Sequence, residues 1–146
     1  MIPKPPQVAM PEQLMVAEFH RVFEIPIRET PTIIPDHEAK LRMTLMREEL
    51  EELGDAIRSN TLTHIAKELT DLLYVVLGTG VQYGLNLKPL FAEVHRSNMS
   101  KVGGHKRADG KWVKPPTYSP AELGSILETA SPIAGAPQDA KEEHLS

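Results

Sequence analysis

The sequence predicts an all-α protein, a bundle of four to five helices organised around a central antiparallel helical hairpin. Apolar residues recur at steps of three and four through four separate segments, the period of helices with one buried face. Between the two longest segments stands Ser59-Asn60-Thr61, the one cluster of turn-type residues from Asp36 to Leu77 and so the corner of a hairpin. A chain of 146 residues is enough for one domain with its own core.

Residues 1 to 11 contain four prolines and read as an extended arm. Helix one starts at Pro11 or Glu12, because proline suits the first helical position, and Met15, Phe19, Val22 and Phe23 form its apolar stripe. His20, on the same helix, reads as a surface or packing histidine. From Glu24 to Pro35, three prolines stand among Ile25, Ile27, Ile33 and Ile34. Such a segment cannot be helical, yet it is too apolar for a free linker, so it should pack as a crossover or lid.

Asp36 is the expected N-cap of the first long helix, with Glu38 in its first turn. The second long helix runs from about Leu62 to Tyr83 and ends at Gly84 or Asn86, and Gly78 and Gly80 inside it indicate close helix contact. A further helix from Lys88 to about Lys101 carries Leu87, Phe91, Val94, Asn98 and Lys101 on one stripe, which turns polar at its end. Ser119-Pro120-Ala121-Glu122 reads as a capping box opening a short helix through about Glu128. Beyond Ala130 the composition is Ser, Pro, Gly, Ala and charged residues, so the domain is expected to span 1–129 and a disordered tail 130–146.

Carboxylates interrupt the core stripes of both long helices. The first helix reads Leu41, Leu45, Glu49, Glu52, Ala56, and the second reads Ile65, Glu68, Leu72, Val75 with Asp71 between. Each acidic pair is spaced i, i+3 and shares one helical face. The pairs are centred at 50.5 and 69.5, equidistant from residue 60, so an antiparallel hairpin brings them to one height. Crowded, dehydrated carboxylates repel one another unless a counter-charge joins them. An all-oxygen set without Cys or His suits Mg2+ or Mn2+ rather than Zn2+. A di-iron centre would want Glu-x-x-His, and here Glu52 and Asp71 occupy the i+3 positions. A solvated acidic face explains one such pair but not two pairs placed symmetrically about a corner.

The absence of cysteine excludes disulfides and thiolate chemistry and fits a cytoplasmic protein. No apolar run is long enough for a membrane span or a signal peptide. A net charge of −4 argues against general nucleic-acid binding. The charge is uneven: residues 101–114 carry +4, which leaves −8 for the rest. A basic loop with turns at Gly103-Gly104 and Asp109-Gly110 suits closure over a polyphosphate.

Glu48-Glu49-Leu50-Glu51-Glu52, then fifteen residues, then Glu68-Leu69-Thr70-Asp71 resembles the EExxE…ExxD signature of the all-α nucleoside triphosphate pyrophosphohydrolases, the MazG-like superfamily. The likeness covers roughly residues 12 to 125. It continues through Glu93-Val94-His95-Arg96-Ser97-Asn98-Met99-Ser100-Lys101, Arg107-Ala108-Asp109-Gly110-Lys111 and Lys114-Pro115, which resemble the branch linking MazG-like, phosphoribosyl-ATP pyrophosphohydrolase-like and dimeric dUTPase-like proteins. The resemblance implies hydrolysis of a nucleoside triphosphate to monophosphate and pyrophosphate, with dUTP as the first candidate substrate and phosphoribosyl-ATP as the second. It implies Glu49, Glu52, Glu68 and Asp71 as ligands of two or three Mg2+ ions, with Mn2+ as a substitute. Glu48 is then general base or ligand of a further metal, and Asn98, Lys101, Lys111 and Lys114 hold the phosphates. A homodimer or dimer of dimers is also implied. The competing expectation, from another class, is a non-catalytic helical oligomer or regulatory module whose acids hold a structural ion.

Overall fold

A computed structural model describes residues 8–133. Among them are five helices: α1 (Pro11–Val22), α2 (Asp36–Ser59), α3 (Leu62–Tyr83), α4 (Leu87–Met99) and α5 (Gly124–Glu128). The architecture is all-α, with α2 and α3 as a central antiparallel hairpin and α1 packed on α3. The hairpin turns where the sequence places it. Asn60 closes α2 in the left-handed conformation (φ 55°), which asparagine tolerates better than most residues.

At the start of α2, Pro35 takes the N-cap position, and Asp36 is already helical and makes no capping bond. At the far end of α3, Gly84 stops the helix at φ 70°; a Cβ there would come within 2.2 Å of the Thr30 carbonyl oxygen. Asn86 instead opens α4, its side chain accepting from the Lys88 N–H at 3.1 Å. The expected capping box at Ser119 does not form. The Ser119 N–H donates to Ser100 Oγ (2.8 Å) and the Glu122 N–H to Glu93 Oε1 (3.1 Å), so these donors serve contacts to α4, and α5 begins only at Gly124.

The core differs from the apolar stripes read in the sequence. Met15, Val22 and Phe23 are 64%, 67% and 64% exposed, whereas α1 buries Gln13, Val16, Ala17 and His20. Gly78 and Gly80 explain the reversal. A Cβ at Gly78 would meet Arg42 Nη2 at 2.8 Å and His20 Nε2 at 3.0 Å, and one at Gly80 would meet Gln13 Nε2 at 2.8 Å. The missing side chains let polar heads reach the α3 backbone, as close helix contact requires. Gln13 Nε2 donates to the Leu85 carbonyl (2.8 Å) and its Oε1 accepts from the Leu87 N–H (3.0 Å), so one buried amide ties α1 to the α3–α4 turn. His20 is a buried packing histidine, its Nδ1 3.2 Å from the Pro26 carbonyl, and burial lowers its pKa. Arg42 crosses from α2 to α3, donating to Thr79 Oγ1 (3.1 Å) and the Val75 carbonyl (2.9 Å). On α4 the buried positions are Leu90 and Ser97, and Phe91 and Val94 are exposed.

The proline-rich segment packs as a crossover. Arg28 forms a two-pronged pair with Glu38 (2.5 and 3.1 Å), Gln82 donates to the same carboxylate (3.0 Å), and Ile34 is buried. Ala9 and Ile133 join the core cluster with Val16, Ala17, Leu77 and Val81. The packed chain therefore extends past Ala130, where the tail was expected to begin. The remainder of that tail, 134–146, and most of the expected N-terminal arm, 1–7, lie outside the described residues. Among the described residues no helix is long and apolar enough to cross a membrane.

Candidate metal centre

The hairpin brings Glu49 of α2 together with Glu68 and Asp71 of α3, one carboxylate oxygen from each lying within 4.8 Å of the others. Glu68 is buried, at 6% exposure, and Glu49 and Asp71 are half-buried. The two sides meet because α2 packs along α3, and Leu53 and Ala56, one and two turns beyond Glu49 on the same helical face, are buried. Leu53, one residue after Glu52, takes the interior position, so Glu52 stays exposed at the rim, as does Glu48. Glu52 nevertheless acts on the cluster electrostatically. Burial first, and then the charges of Glu52, Asp71 and Glu68, push the Glu49 carboxyl above its ordinary pKa.

Two oxygens give this arrangement its chemical sense. Glu49 Oε2 and Glu68 Oε2 are buried without a hydrogen-bond partner. A buried charged oxygen without a partner is costly, and a hard divalent cation is the group that would satisfy both at once. The donor set, all carboxylate oxygen, fits Mg2+ or Mn2+. On the outer side of the cluster, Lys67 Nζ lies 2.6 Å from Asp71 Oδ2 and 3.4 Å from Glu68 Oε1, and His64 Nε2 lies 3.4 Å from the same Glu68 oxygen. Neither neighbour figures in the acidic signature. The signal for Lys67 was its i, i+4 spacing to Asp71, which the eye passes over as an ordinary surface pair.

The basic region gathers around Tyr118. Lys114 Nζ stands 4.4 Å and Lys101 Nζ 5.9 Å from the centre of its ring, both within cation–π range, while Lys101 also donates to Asn98 Oδ1 at 2.8 Å. A hydrogen bond with Ser97, and then the two ammonium charges, lower the Tyr118 pKa. Asn98, Lys101 and Lys114 thus form one group. Lys111 sits in the turn of a short antiparallel ribbon, β1 (His105–Lys106) with β2 (Trp112–Val113), that the sequence did not suggest; its N–H donates to Asp109 Oδ1 at 3.1 Å. Tyr118 was missed because an aromatic between prolines reads as packing. Its only sequence signal is the two lysines within reach.

A model of the phosphoribosyl-ATP pyrophosphohydrolase family matches residues 16–98, from within α1 almost to the end of α4 and across all four acids of the hairpin. The lysines from Lys101 onward lie beyond the matched region. An uncharacterized protein of Acanthamoeba polyphaga mimivirus is 38% identical over 81 residues, a region covering 49% of this chain. The chain spans only 30% of that relative's length.

Proposed function

The chain belongs to the phosphoribosyl-ATP pyrophosphohydrolase family, within the MazG-like superfamily, and from that membership we propose that it is a metal-dependent nucleotide pyrophosphohydrolase. The observation that carries the reading is the trio of Glu49, Glu68 and Asp71 with its two buried, unpartnered oxygens. Glu49, Glu68 and Asp71 would hold Mg2+ or Mn2+, with Glu52 joining from the rim. A divalent cation bound there supplies positive charge to a polyphosphate and makes water acidic enough to attack phosphorus near neutral pH.

The chain's own side chains do the rest. The Glu48 carboxylate, exposed one turn before Glu52 on α2, accepts the proton of the attacking water or serves a further cation. Lys101 and Lys114, steadied over Tyr118, neutralise phosphate oxygens, and Asn98 and Lys111 add a hydrogen-bonding amide and a third ammonium. The reaction is hydrolysis of a nucleoside triphosphate to monophosphate and pyrophosphate, with dUTP as first candidate because of the Asn98 to Lys114 stretch. The family description supports a second substrate, phosphoribosyl-ATP. A cytoplasmic location suits a cysteine-free protein acting on such nucleotides.

The active form is a homodimer or a dimer of dimers. Phe19 lies tilted against Phe23 (ring centres 4.5 Å apart) and edge-on to Tyr74 of α3 (5.7 Å), and the three are 37–64% exposed, a large apolar face for a single chain to leave in water. Light scattering at micromolar concentration tests it, and a monomer would remove the assembly from the reading. The activity is tested by incubating the protein and Mg2+ or Mn2+ with dUTP, the other nucleoside triphosphates and phosphoribosyl-ATP while assaying pyrophosphate. Release from one or a few of them supports the enzyme; silence across the panel together with metal binding points to a module with a structural ion.

A further inference from the structure

We propose that Lys67 is a tethered counter-cation of the carboxylate cluster, holding oxygens of Asp71 and Glu68 that a divalent ion takes over, and that it thereby sets how tightly the cluster binds metal. The inference rests on the reading of the cluster as a metal centre. It starts from the two contacts of the Lys67 ammonium, 2.6 Å to Asp71 Oδ2 and 3.4 Å to Glu68 Oε1.

A comparison within the molecule separates this from an ordinary helix-surface pair. Asp36 and Lys40 are also spaced i, i+4, in the acid-before-base order that a helix favours, and both side chains are almost fully in water. Lys67 and Asp71 stand in the reverse, less favoured order. Helical order therefore adds little, and Lys67 is held by the acids themselves: by the hydrogen bond and charge of Asp71 first and then by the charge of Glu68, with Glu49 feeling the same ammonium from α2. Lys67 also spans a steep change in burial: its own side chain is 66% exposed, while that of Glu68, which it touches, is 8% exposed. One end is anchored in an anionic cluster and the stem is free in solvent, so the ammonium can leave without disturbing the core.

Lys67 neutralises the cluster only in part. It contacts one oxygen of Asp71 and one of Glu68, and Glu49 Oε2 and Glu68 Oε2 remain without partners. One flexible ammonium cannot reach both sides of the hairpin, whereas a multidentate divalent ion can. A divalent ion that draws on Asp71 Oδ2 or Glu68 Oε1 must displace the ammonium from them, and the two like charges repel at this distance, so metal entry and Lys67 release are coupled. The lysine lowers the repulsion of the metal-free hairpin and, by the same contacts, competes with the metal.

Calorimetric titration of the full chain with Mg2+ and with Mn2+, paired with thermal melts, tests this on wild type, Lys67→Gln and Lys67→Arg. Lys67→Gln should tighten the metal Kd by about 3-fold to 10-fold, the size expected for a partly exposed charge near the ion. It should also melt lower without metal and show a larger metal-induced rise, since ligand stabilisation follows affinity. Lys67→Arg keeps the charge and should bind within about 2-fold of wild type. If wild type binds metal but Lys67→Gln binds no tighter, Lys67 is a plain surface residue and the proposal is overturned while the metal centre stands. If wild type binds neither ion, the metal centre and the proposal fall together.

Discussion

On α4, Glu93 is saturated: both its oxygens accept from Arg96 (2.9 and 2.8 Å), three residues along the helix, and Oε1 also accepts from the Glu122 N–H at 3.1 Å. These bonds, Arg96 first, hold the Glu93 carboxyl down at about 2. On the hairpin, Glu68 stands three residues before another acid, Asp71, faces a third across the α2–α3 contact, and keeps one buried oxygen with no partner. Residue type and helical spacing are the same in the two places, and the surroundings reverse the chemistry. A carboxylate fully supplied with donors is structural; crowded carboxylates left short of donors are a demand for a cation. The Glu93 clamp fastens the 118–122 segment to α4, with Arg96 also reaching the Pro120 carbonyl at 3.1 Å, and so supports the ground on which Tyr118 gathers its lysines.

The sharpest test of that contrast is Glu68→Gln. Turnover should fall by roughly 100-fold or more, because the proposed metal centre loses a buried carboxylate oxygen. The Mg2+-induced rise in melting temperature should shrink as well, and the metal-free protein should melt higher than wild type because repulsion is relieved. A wild-type Mg2+ response in Glu68→Gln would remove the hairpin acids from the list of ligands. Glu49→Gln should behave alike, from the opposite helix.

Lys101→Ala addresses the basic group. It should raise KM by roughly 10-fold or more, the weight of one charge-assisted contact to phosphate, while leaving the Mg2+ melt shift of the free protein intact. An altered Mg2+ shift with unchanged KM would place Lys101 in the metal centre rather than beside the phosphates.

Glu93→Gln should do the reverse of Glu68→Gln. Melting temperature should drop, since Arg96 and the Glu122 N–H lose a charged acceptor, and the Mg2+ shift should stay as in wild type. Limited proteolysis after residue 118 should speed up in this variant.

Acid titration of the metal-free protein makes the smallest and most diagnostic difference. Glu93 is held to about 2 in the fold against an ordinary 4.5, so its contribution is fully present above pH 4.5 and is lost as pH falls toward 2. The Glu49 carboxyl is raised, so its contribution is present below pH 4.5 and is lost as pH rises through its folded value. Melts from pH 2 to 7 should show Glu93→Gln flattening the acid limb and Glu49→Gln gaining stability over wild type toward neutral pH. The same change in both variants would contradict the opposite environments assigned to them.

The sequence by itself determined the first four helices and the meeting of Glu49, Glu68 and Asp71. Local rules suffice for both: period, a left-handed corner at Asn60, a glycine stop at Gly84, and two acidic pairs equidistant from a turn. It could not rank the acids. Glu49 and Glu52 lie one helical turn apart on one face, and only the packing of α2, which buries Leu53 and Ala56, decided that Glu49 goes in and Glu52 stays at the rim. Nor could it choose between the two faces of α1. Periodicity favours the greasier side, Met15, Phe19, Val22 and Phe23, but burial within the chain follows fit, and the grooves at Gly78 and Gly80 accept Gln13 and His20 instead. The two-stranded ribbon and the Tyr118 platform were likewise settled by contacts between residues up to 17 apart, for which a one-dimensional pattern holds no term. Hydrophobic pattern records how much each face would gain by leaving water, and only the packed structure decides which face finds a partner to leave it for.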